Sequence, residues 1–503
     1  MFFVFLAFPF CLDLHAQSTE TDVPLQSRKH WNRFRGPNGS GVMKNARIPV
    51  RFGPNLNVLW KTPIEEGPSS PVIWGDRIFL TAASSDKTNQ LVAVCINRSS
   101  GKVLWRNSIT NPKPRKYFSF GSPVAPTPVV DAEHVYVSYP AYGLICYDHD
   151  GTKVWERRFE PTTHLYGMAV SPIVYRDTLI LDGGEKHSRL LALDRNSGKT
   201  TWKHRSPLFR QGWSTPVIWF RSGVEELVAL GSRRLTSFDP TNGNEKWWVG
   251  GFAGEVVGVP VIGEGLLFAS SGQASHDEPD LSVENTWKVI LEDHDQNDDG
   301  DIQRTEMDNG FRIPLRLELE RDEPGAAYSL KPEWANGLLD KLDVNNDGKL
   351  SKKEWQEYMS GSGSKFRPTL VAIRPGAKGD ARRAHLAWEY HRGIPEVPSL
   401  LYCRGNIYMF RNGGLVTCLK AKDGKELYKG RVGAGGQYIA SPIAAGDKII
   451  TASQNGVVSV IRAGDQLEVL SQNDFEEQII ATPALAGNQL YIRTTGFLYA
   501  IGK

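Results

Sequence analysis

SPIVYRDTLILDGGEKHSRLLALDRNSGKTTWKH, residues 171–204, reads as four short strands with the turns between them. Ser171–Tyr175 is a first strand, and Thr178–Asp182 a second after a turn at Arg176-Asp177. Leu190–Asp194 is a third, and Thr200–Lys203 a fourth after the turn Asn196-Ser197-Gly198. Each run is apolar or alternating and is bounded by Gly, Asn, Asp or Ser, as the strands of an antiparallel meander are. Pro172 suits the start of a first strand, where a missing N–H costs least.

The same grammar recurs along the chain. A Ser/Thr/Val-Pro dipeptide followed by an apolar run ends in Pro71, Pro128, Pro172, Pro216, Pro260, Pro398, Pro442 and Pro483, with steps of 57, 44, 44, 44, 138, 44 and 41 residues. A period of about 40–50 residues means one supersecondary unit copied many times. A four-stranded unit of that length is a propeller blade. Fourth strands end in Trp105, Trp155, Trp202, Trp247, Trp388, Tyr428 and Leu470, and the last copy stops after its third strand. Asn57–Lys61, just before the first proline, supplies the missing strand. An N-terminal strand in the last blade closes the ring and removes an open edge. The expected fold is all-β: an eight-bladed β-propeller closed by an N-terminal strand, with a small α-helical insert in blade 5.

The third-to-fourth-strand runs LLALDRNSGKTTW (190–202), LVAVCINRSSGKVLW (91–105) and LTSFDPTNGNEKW (235–247) resemble the PQQ-like repeat family over residues 57–272 and 367–503. Eight such blades occur in quinoprotein alcohol dehydrogenases and in BamB-type outer-membrane assembly scaffolds, which are not enzymes. The resemblance therefore implies a fold and leaves the activity open. The dehydrogenases hold PQQ under a ring of vicinal cysteines and over a tryptophan floor, with a calcium ion on the quinone and an Asp as base. This chain has no Cys-Cys pair. Trp213 is a possible floor, but no calcium–quinone ligand set or catalytic Asp can be assigned, so PQQ is not the expected cofactor.

Composition excludes one partner class. The formal net charge is +3 from 59 basic and 56 acidic residues. No basic stripe exists beyond Lys113–Lys116, so nucleic acid has no electrostatic footprint here. Residues 1–12 (MFFVFLAFPFCL) are almost wholly apolar but too short to span a bilayer. They read as a secretory signal over residues 1–16, cleaved near Ala16, which makes the protein exported, to periplasm, cell surface or medium. Residues 17–56 form an N-terminal extension whose WNRFRGPNGSGV (31–42) has the turn-rich look of a segment laid across the propeller. Cys95, Cys146 and Cys418 occupy one equivalent third-strand position, where other copies have Ala192 and Ser237. That pattern asks for a small buried side chain and argues against disulfides. A monomer without a membrane span is expected.

The long step marks an insert at residues 273–366, between the second and third strands of blade 5. It holds two twelve-residue loops. The first runs Asp295, Asn297, Asp299, Gly300, Asp301, Ile302, Gln303 and Glu306 at positions 1, 3, 5, 6, 7, 8, 9 and 12. The second has Asp343, Asn345, Asp347, Gly348, Lys349, Leu350, Ser351 and Glu354 at the same positions. Oxygen side chains at positions 1, 3 and 5 converge on a hard cation, and Gly at 6 permits the sharp turn. Position 7 offers its carbonyl, position 9 acts through a water, and Glu at 12 supplies two oxygens. Ile302 and Leu350 are placed to pair the loops in a short β-bridge. Helices are expected over Glu284–Glu292, Trp334–Leu342 and Lys352–Met359. Both loops resemble the EF-hand, which implies two Ca2+ ions, held in an exported protein as a structural or docking module more than as a switch.

In a four-stranded meander the second-to-third-strand loop and the blade-to-blade loop emerge on one face, so the insert stands over the segments preceding each repeat proline. Those segments carry Tyr117, His164, Tyr166, Arg210, Trp213, His391, Gln437 and Tyr438, with Glu396, Glu477 and Gln478. Polar and aromatic loops converging on a rigid scaffold are where binding concentrates. The expected function is a calcium-binding interaction scaffold with a protein or carbohydrate ligand on this funnel face. The alternatives are a PQQ-dependent dehydrogenase and a polysaccharide-active enzyme using His164 or His391 as acid/base. No Ser/His/Asp or paired-carboxylate spacing selects a catalytic residue.

Overall fold

A computed structural model describes residues 30–84, 89–114, 117, 121–160, 167–182, 188–205, 213–221, 223–253, 256–272, 282–314, 319, 321–323, 326–362 and 368–503. Eight four-stranded antiparallel sheets follow one another along the chain, and the first strands of successive sheets touch around a central axis. Blade 3 is typical, with strands Ile173–Tyr175, Thr178–Asp182, Ser188–Asp194 and Thr200–Arg205 from the axis outward. Second and third strands are buried on both faces because neighbouring blades stack on each side. The outermost strands alternate exposed and half-buried residues, as in Lys153–Arg158 and Thr200–Arg205. Val58–Pro63 pairs antiparallel with Phe497–Ile501, so the N-terminal strand completes blade 8 and the ring is closed as expected.

The residue before each repeat proline has a specific task. Its backbone N–H donates to the hydroxyl of the equivalent residue in the next blade. Ser70 donates to Thr127 at 3.0 Å, Thr127 to Ser171 at 2.9 Å and Ser171 to Thr215 at 3.1 Å. Val259 donates to Ser399 at 3.0 Å, Ser399 to Ser441 at 3.0 Å, Ser441 to Thr482 at 2.9 Å and Thr482 back to Ser70 at 3.1 Å. All these residues are buried, so each hydroxyl satisfies an N–H that water cannot reach. The ring is interrupted at Val259, which has no hydroxyl; there Ser214 Oγ donates to the Gly258 carbonyl at 2.8 Å instead. The ring also corrects one repeat marker. Ser399 occupies the hydroxyl position in blade 6, so Leu400 stands where other blades have proline and Pro398 lies two residues early.

A second set of seams lies farther out. Trp60, Trp105, Trp155, Trp202 and Trp388 each donate Nε1 to a backbone carbonyl in the next blade: Arg98, His149, Arg195, Pro240 and Ala421, at 2.8, 2.8, 3.0, 3.2 and 3.0 Å. Each indole lies on the turn glycine of that blade, Gly101, Gly151, Gly198, Gly243 or Gly424, where a Cβ would meet the ring at 2.4–2.8 Å. Trp247 departs from the pattern: its Nε1 goes to Glu226 at 2.8 Å. The seam between blades 4 and 5 is closed instead by Gly379–Asp380, which pairs parallel with Trp247 and Trp248, and by Arg382 Nη1 on the Gly250 carbonyl at 2.9 Å.

The segment at 31–43 does cross the propeller. Trp31 and Asn32 carbonyls accept from Ile73 and Val130 at 2.7 and 2.9 Å. Asn38 exchanges two hydrogen bonds with the Ile218 backbone, and Val42–Met43 pairs parallel with Ala444 and Ala445. Arg33 and Arg35, 5% and 0% exposed, reach the Pro216 and Leu400 carbonyls at 2.5 and 2.7 Å. These partners are inner strands of blades 1, 2, 4, 6 and 7, so the segment closes one end of the axial channel. Burial lowers both guanidinium pKa values to about 9, which leaves them charged at neutral pH. The backbone partners lie toward the first-to-second-strand turns, the end of the ring opposite the insert.

Cys95, Cys146, Cys403 and Cys418 are free and buried. Cys95, Cys146 and Cys418 each sit opposite the outer-strand aromatic, as Ala192 does opposite Trp202. Among the described residues no helix is long and apolar enough to cross a membrane.

Candidate functional site

The insert builds its own small core from Trp287, Ile290, Ile302, Met307, Phe311, Leu339, Leu350 and Trp355. Helix α1, Val283–His294, is capped by Ser282, whose Oγ accepts from Asn285 N at 3.1 Å. Helix α2, Pro332–Leu342, begins with proline in its first turn, where no N–H partner is needed. Helix α3, Lys352–Ser362, leaves the second loop and packs on α1, tied by Trp355 Nε1 to Thr286 Oγ1 at 3.0 Å. The first loop exits through a short 3-10 turn, Arg304–Met307, and a hairpin of Phe311–Pro314 with Ala327–Leu330, in place of a long helix.

The two loops have one conformation. Position 4 has positive φ in both, 58° at Asp298 and 57° at Asn346, followed by 85° at Gly300 and 81° at Gly348. Asp295 accepts from Asp299 N and Gly300 N at 3.2 and 2.9 Å, and Asp343 accepts from Asp347 N and Gly348 N at 3.0 and 2.8 Å. Glu306 reaches back to Gln296 N at 2.7 Å and Gln303 N at 2.8 Å; Glu354 does the same to Val344 N at 2.9 Å and Ser351 N at 3.0 Å. Ile302 pairs with Leu350 and Gln303 with Lys349 in the expected antiparallel bridge. Both Glu306 and Glu354 are buried, at 6% and 5% exposure. Burial pushes Glu354 up, but the N–H groups and hydroxyl around it hold it below the usual carboxylate range.

Among the described residues no three His, Cys, Asp or Glu side chains are gathered tightly enough to hold a metal ion as placed. The carboxylates bond the loop's own N–H groups instead. Two loops with oxygen donors at matching positions, and a buried Glu closing each, nonetheless have the donor chemistry a hard divalent cation takes. Lys349 Nζ stands 3.1 Å from Asp299 Oδ2 and 4.0 Å from Asp301 Oδ2, crossing from the second loop to the first. The Asp301 N–H and then the Lys349 ammonium hold Asp299 down to about 2.

On the same face, three successive blade-to-blade loops meet at Gly167. Trp213 Nε1 donates to its carbonyl at 2.9 Å, and the Tyr117 ring lies 2.8 Å from where a Gly167 Cβ would be. His391 Nδ1 lies 3.0 Å from both Thr369 Oγ1 and the Pro368 carbonyl, with Nε2 3.5 Å from Glu389. The Gln437 carbonyl accepts from Gln454 N at 2.7 Å. Tyr438 is buried at 1% exposure with its hydroxyl on the Ala434 carbonyl at 2.9 Å, so it is a core residue at the foot of the loop. His164, Tyr166 and Arg210 lie outside the described residues. Two contacts on this face carried no repeat or motif signal. Glu477 accepts from Thr494 Oγ1 at 2.6 Å. Glu323, in the linker between the loops, accepts from Asn455 Nδ2 at 2.9 Å. Asn455 is in the second-to-third-strand loop of blade 7, so the insert rooted in blade 5 reaches two blades around the ring.

Residues 52–276 match the family model described as outer membrane protein assembly factor BamB. Among curated proteins no sequence matches. Among solved structures, BamB from Moraxella catarrhalis is similar at 11% identity with a TM-score of 0.52, covering 88% of this chain and 96% of that one. A europium-containing methanol dehydrogenase is similar at 11% identity and TM-score 0.50, covering 94% of this chain and 91% of its own. A quinohemoprotein alcohol dehydrogenase from Pseudomonas putida HK5 is similar at 12% identity and TM-score 0.50, covering 95% and 81%. At such identities the likeness is one of fold, and the fold is a PQQ-like β-propeller.

Proposed function

We propose that the chain is an exported calcium-binding propeller that serves as a scaffold, presenting the insert-bearing face to a protein or carbohydrate ligand. The observation that carries the calcium part is the repetition of one loop twice, with the same backbone, the same N–H bonds to position 1 and a buried Glu at position 12. Asp295, Asn297, Asp299, Gln303 and Glu306 would hold one ion with the Asp301 carbonyl. Asp343, Asn345, Asp347, Ser351 and Glu354 would hold the other with the Lys349 carbonyl. Calcium would supply charge neutralisation that locks each loop, and with it the insert, in place. The scaffold part is supported by the position of the insert over converging loops and by the likeness to an assembly factor. Export is supported by the apolar N-terminal run. Calorimetric titration of the full chain tests the calcium reading: two ions per chain are expected, and Glu306→Ala and Glu354→Ala should each remove one.

A quinoprotein dehydrogenase is the second reading, favoured by fold likeness to two such enzymes. Against it stands the missing Cys-Cys pair. Adding PQQ and calcium and recording the absorption spectrum separates the two: the scaffold reading expects no stoichiometric quinone uptake and no dye-linked alcohol oxidation.

A further inference from the structure

We infer that Lys349 acts as a tethered cation that makes the first loop the weaker of the two calcium sites; the inference rests on the calcium reading of both loops. The loops share backbone and hydrogen bonds but differ at position 7, Asp301 against Lys349. The antiparallel bridge of Ile302 with Leu350 sets each position 7 beside the other loop. Its consequence is one-sided. Lys349 Nζ lies 3.1 Å from Asp299 Oδ2, which also accepts from Gln303 Nε2 at 2.7 Å and Asn297 Nδ2 at 3.3 Å. The equivalent oxygen of the second loop, Asp347 Oδ2, accepts from Asn345 Nδ2 at 3.0 Å. Among the described residues no lysine or arginine pairs with Asp343, Asp347 or Glu354.

A divalent cation entering the first loop must draw Asp299 away from an ammonium and then sit within a few ångströms of that charge. The Lys349 side chain is long and partly exposed, so it can swing into water, and the site is weakened without being closed. A like charge at that range, screened by solvent, weakens binding on the order of tenfold. The second loop feels the same ammonium at Asp347, but none of its carboxylates pairs with it at close range, and loading that loop leaves the Lys349 carbonyl in use while the side chain still guards its neighbour.

Calcium titration of the full chain by calorimetry, with Lys349→Gln and Lys349→Met beside it, tests this. The wild-type protein should bind two ions with affinities about tenfold apart, and Glu306→Gln should remove the weaker. Either Lys349 variant should tighten that weaker site about tenfold and leave the other unchanged. Two ions bound by the Lys349 variants with wild-type affinities would overturn the role of Lys349 while leaving both loops as calcium sites. Absence of binding in every protein would overturn the calcium reading itself.

Discussion

Trp60 of the N-terminal strand lies flat on Gly101 of the first blade and donates Nε1 to the Arg98 carbonyl at 2.8 Å. One indole thereby joins the two ends of the chain, because its strand is hydrogen-bonded to the C-terminal strand Phe497–Ile501. Trp60→Ala removes packing and a hydrogen bond at the seam between the last blade and the first, where the ring closes. A loss of about 3 kcal/mol is expected in urea unfolding. Trp202→Ala at an internal seam should cost a similar amount in equilibrium stability and less in unfolding rate. Equal unfolding rates would remove the special role of closure.

The glycine side of the same seam is equally constrained. Gly243 has φ +75°, and an added Cβ would stand 2.4 Å from Trp202 Cε3. Gly243→Ala should therefore destabilise by about 2 kcal/mol through strain and displacement of the indole. A thermal melt unchanged by the substitution would show that the ring can give way.

The hydroxyl ring predicts an effect far larger than the size of the atom removed. Ser171→Ala leaves the buried Thr127 N–H without its 2.9 Å acceptor, at a cost of about 1–3 kcal/mol. Ser171→Thr keeps the acceptor and should be close to neutral. If both variants melt alike, the ring contributes packing and not hydrogen bonding.

Asp131 should be one of the groups that make the propeller acid-sensitive. Burial pushes this carboxyl up, but the N–H groups of Glu133 and His134, Arg195 and the Tyr136 hydroxyl together bring it below its ordinary value. Its folded pKa is thus depressed, so its contribution is full above the unfolded value of about 3.9 and is lost as pH falls through the folded one. Asp131→Asn should lower stability at neutral pH and flatten the fall in stability below about pH 4. Unfolding curves from pH 2 to 7 that keep the wild-type slope would contradict this.

Much of this architecture was legible from periodicity. The prolines counted the blades because each marks an inner strand, and the turn glycines followed the tryptophans because one packs on the other. The count of eight held, but the marker slipped at blade 6, where Leu400 fills the proline position and Pro398 lies two residues upstream; the hydrogen bonds from Val259 N to Ser399 Oγ and from Ser399 N to Ser441 Oγ set that register. The like conformation of the two insert loops, bridged at Ile302 and Leu350, followed a residue spacing that is local in sequence. The Asp131–Arg195 pair, the buried Arg33 and Arg35 and the Glu323–Asn455 contact were not legible, since each joins residues far apart in sequence that only the packing of the blades brings together. Tyr438 looked like a funnel residue by position, but polarity in a loop does not say which way a ring turns.

The central claim is that the interruption of the blade repeat is a calcium module. Calorimetric titration of the full-length protein with calcium, after chelator treatment, measures it directly. Two bound ions per chain are predicted, falling to none in a Glu306→Ala, Glu354→Ala double variant whose propeller still melts cooperatively. A flat titration of the folded wild-type protein, or two ions retained by the double variant, would contradict it.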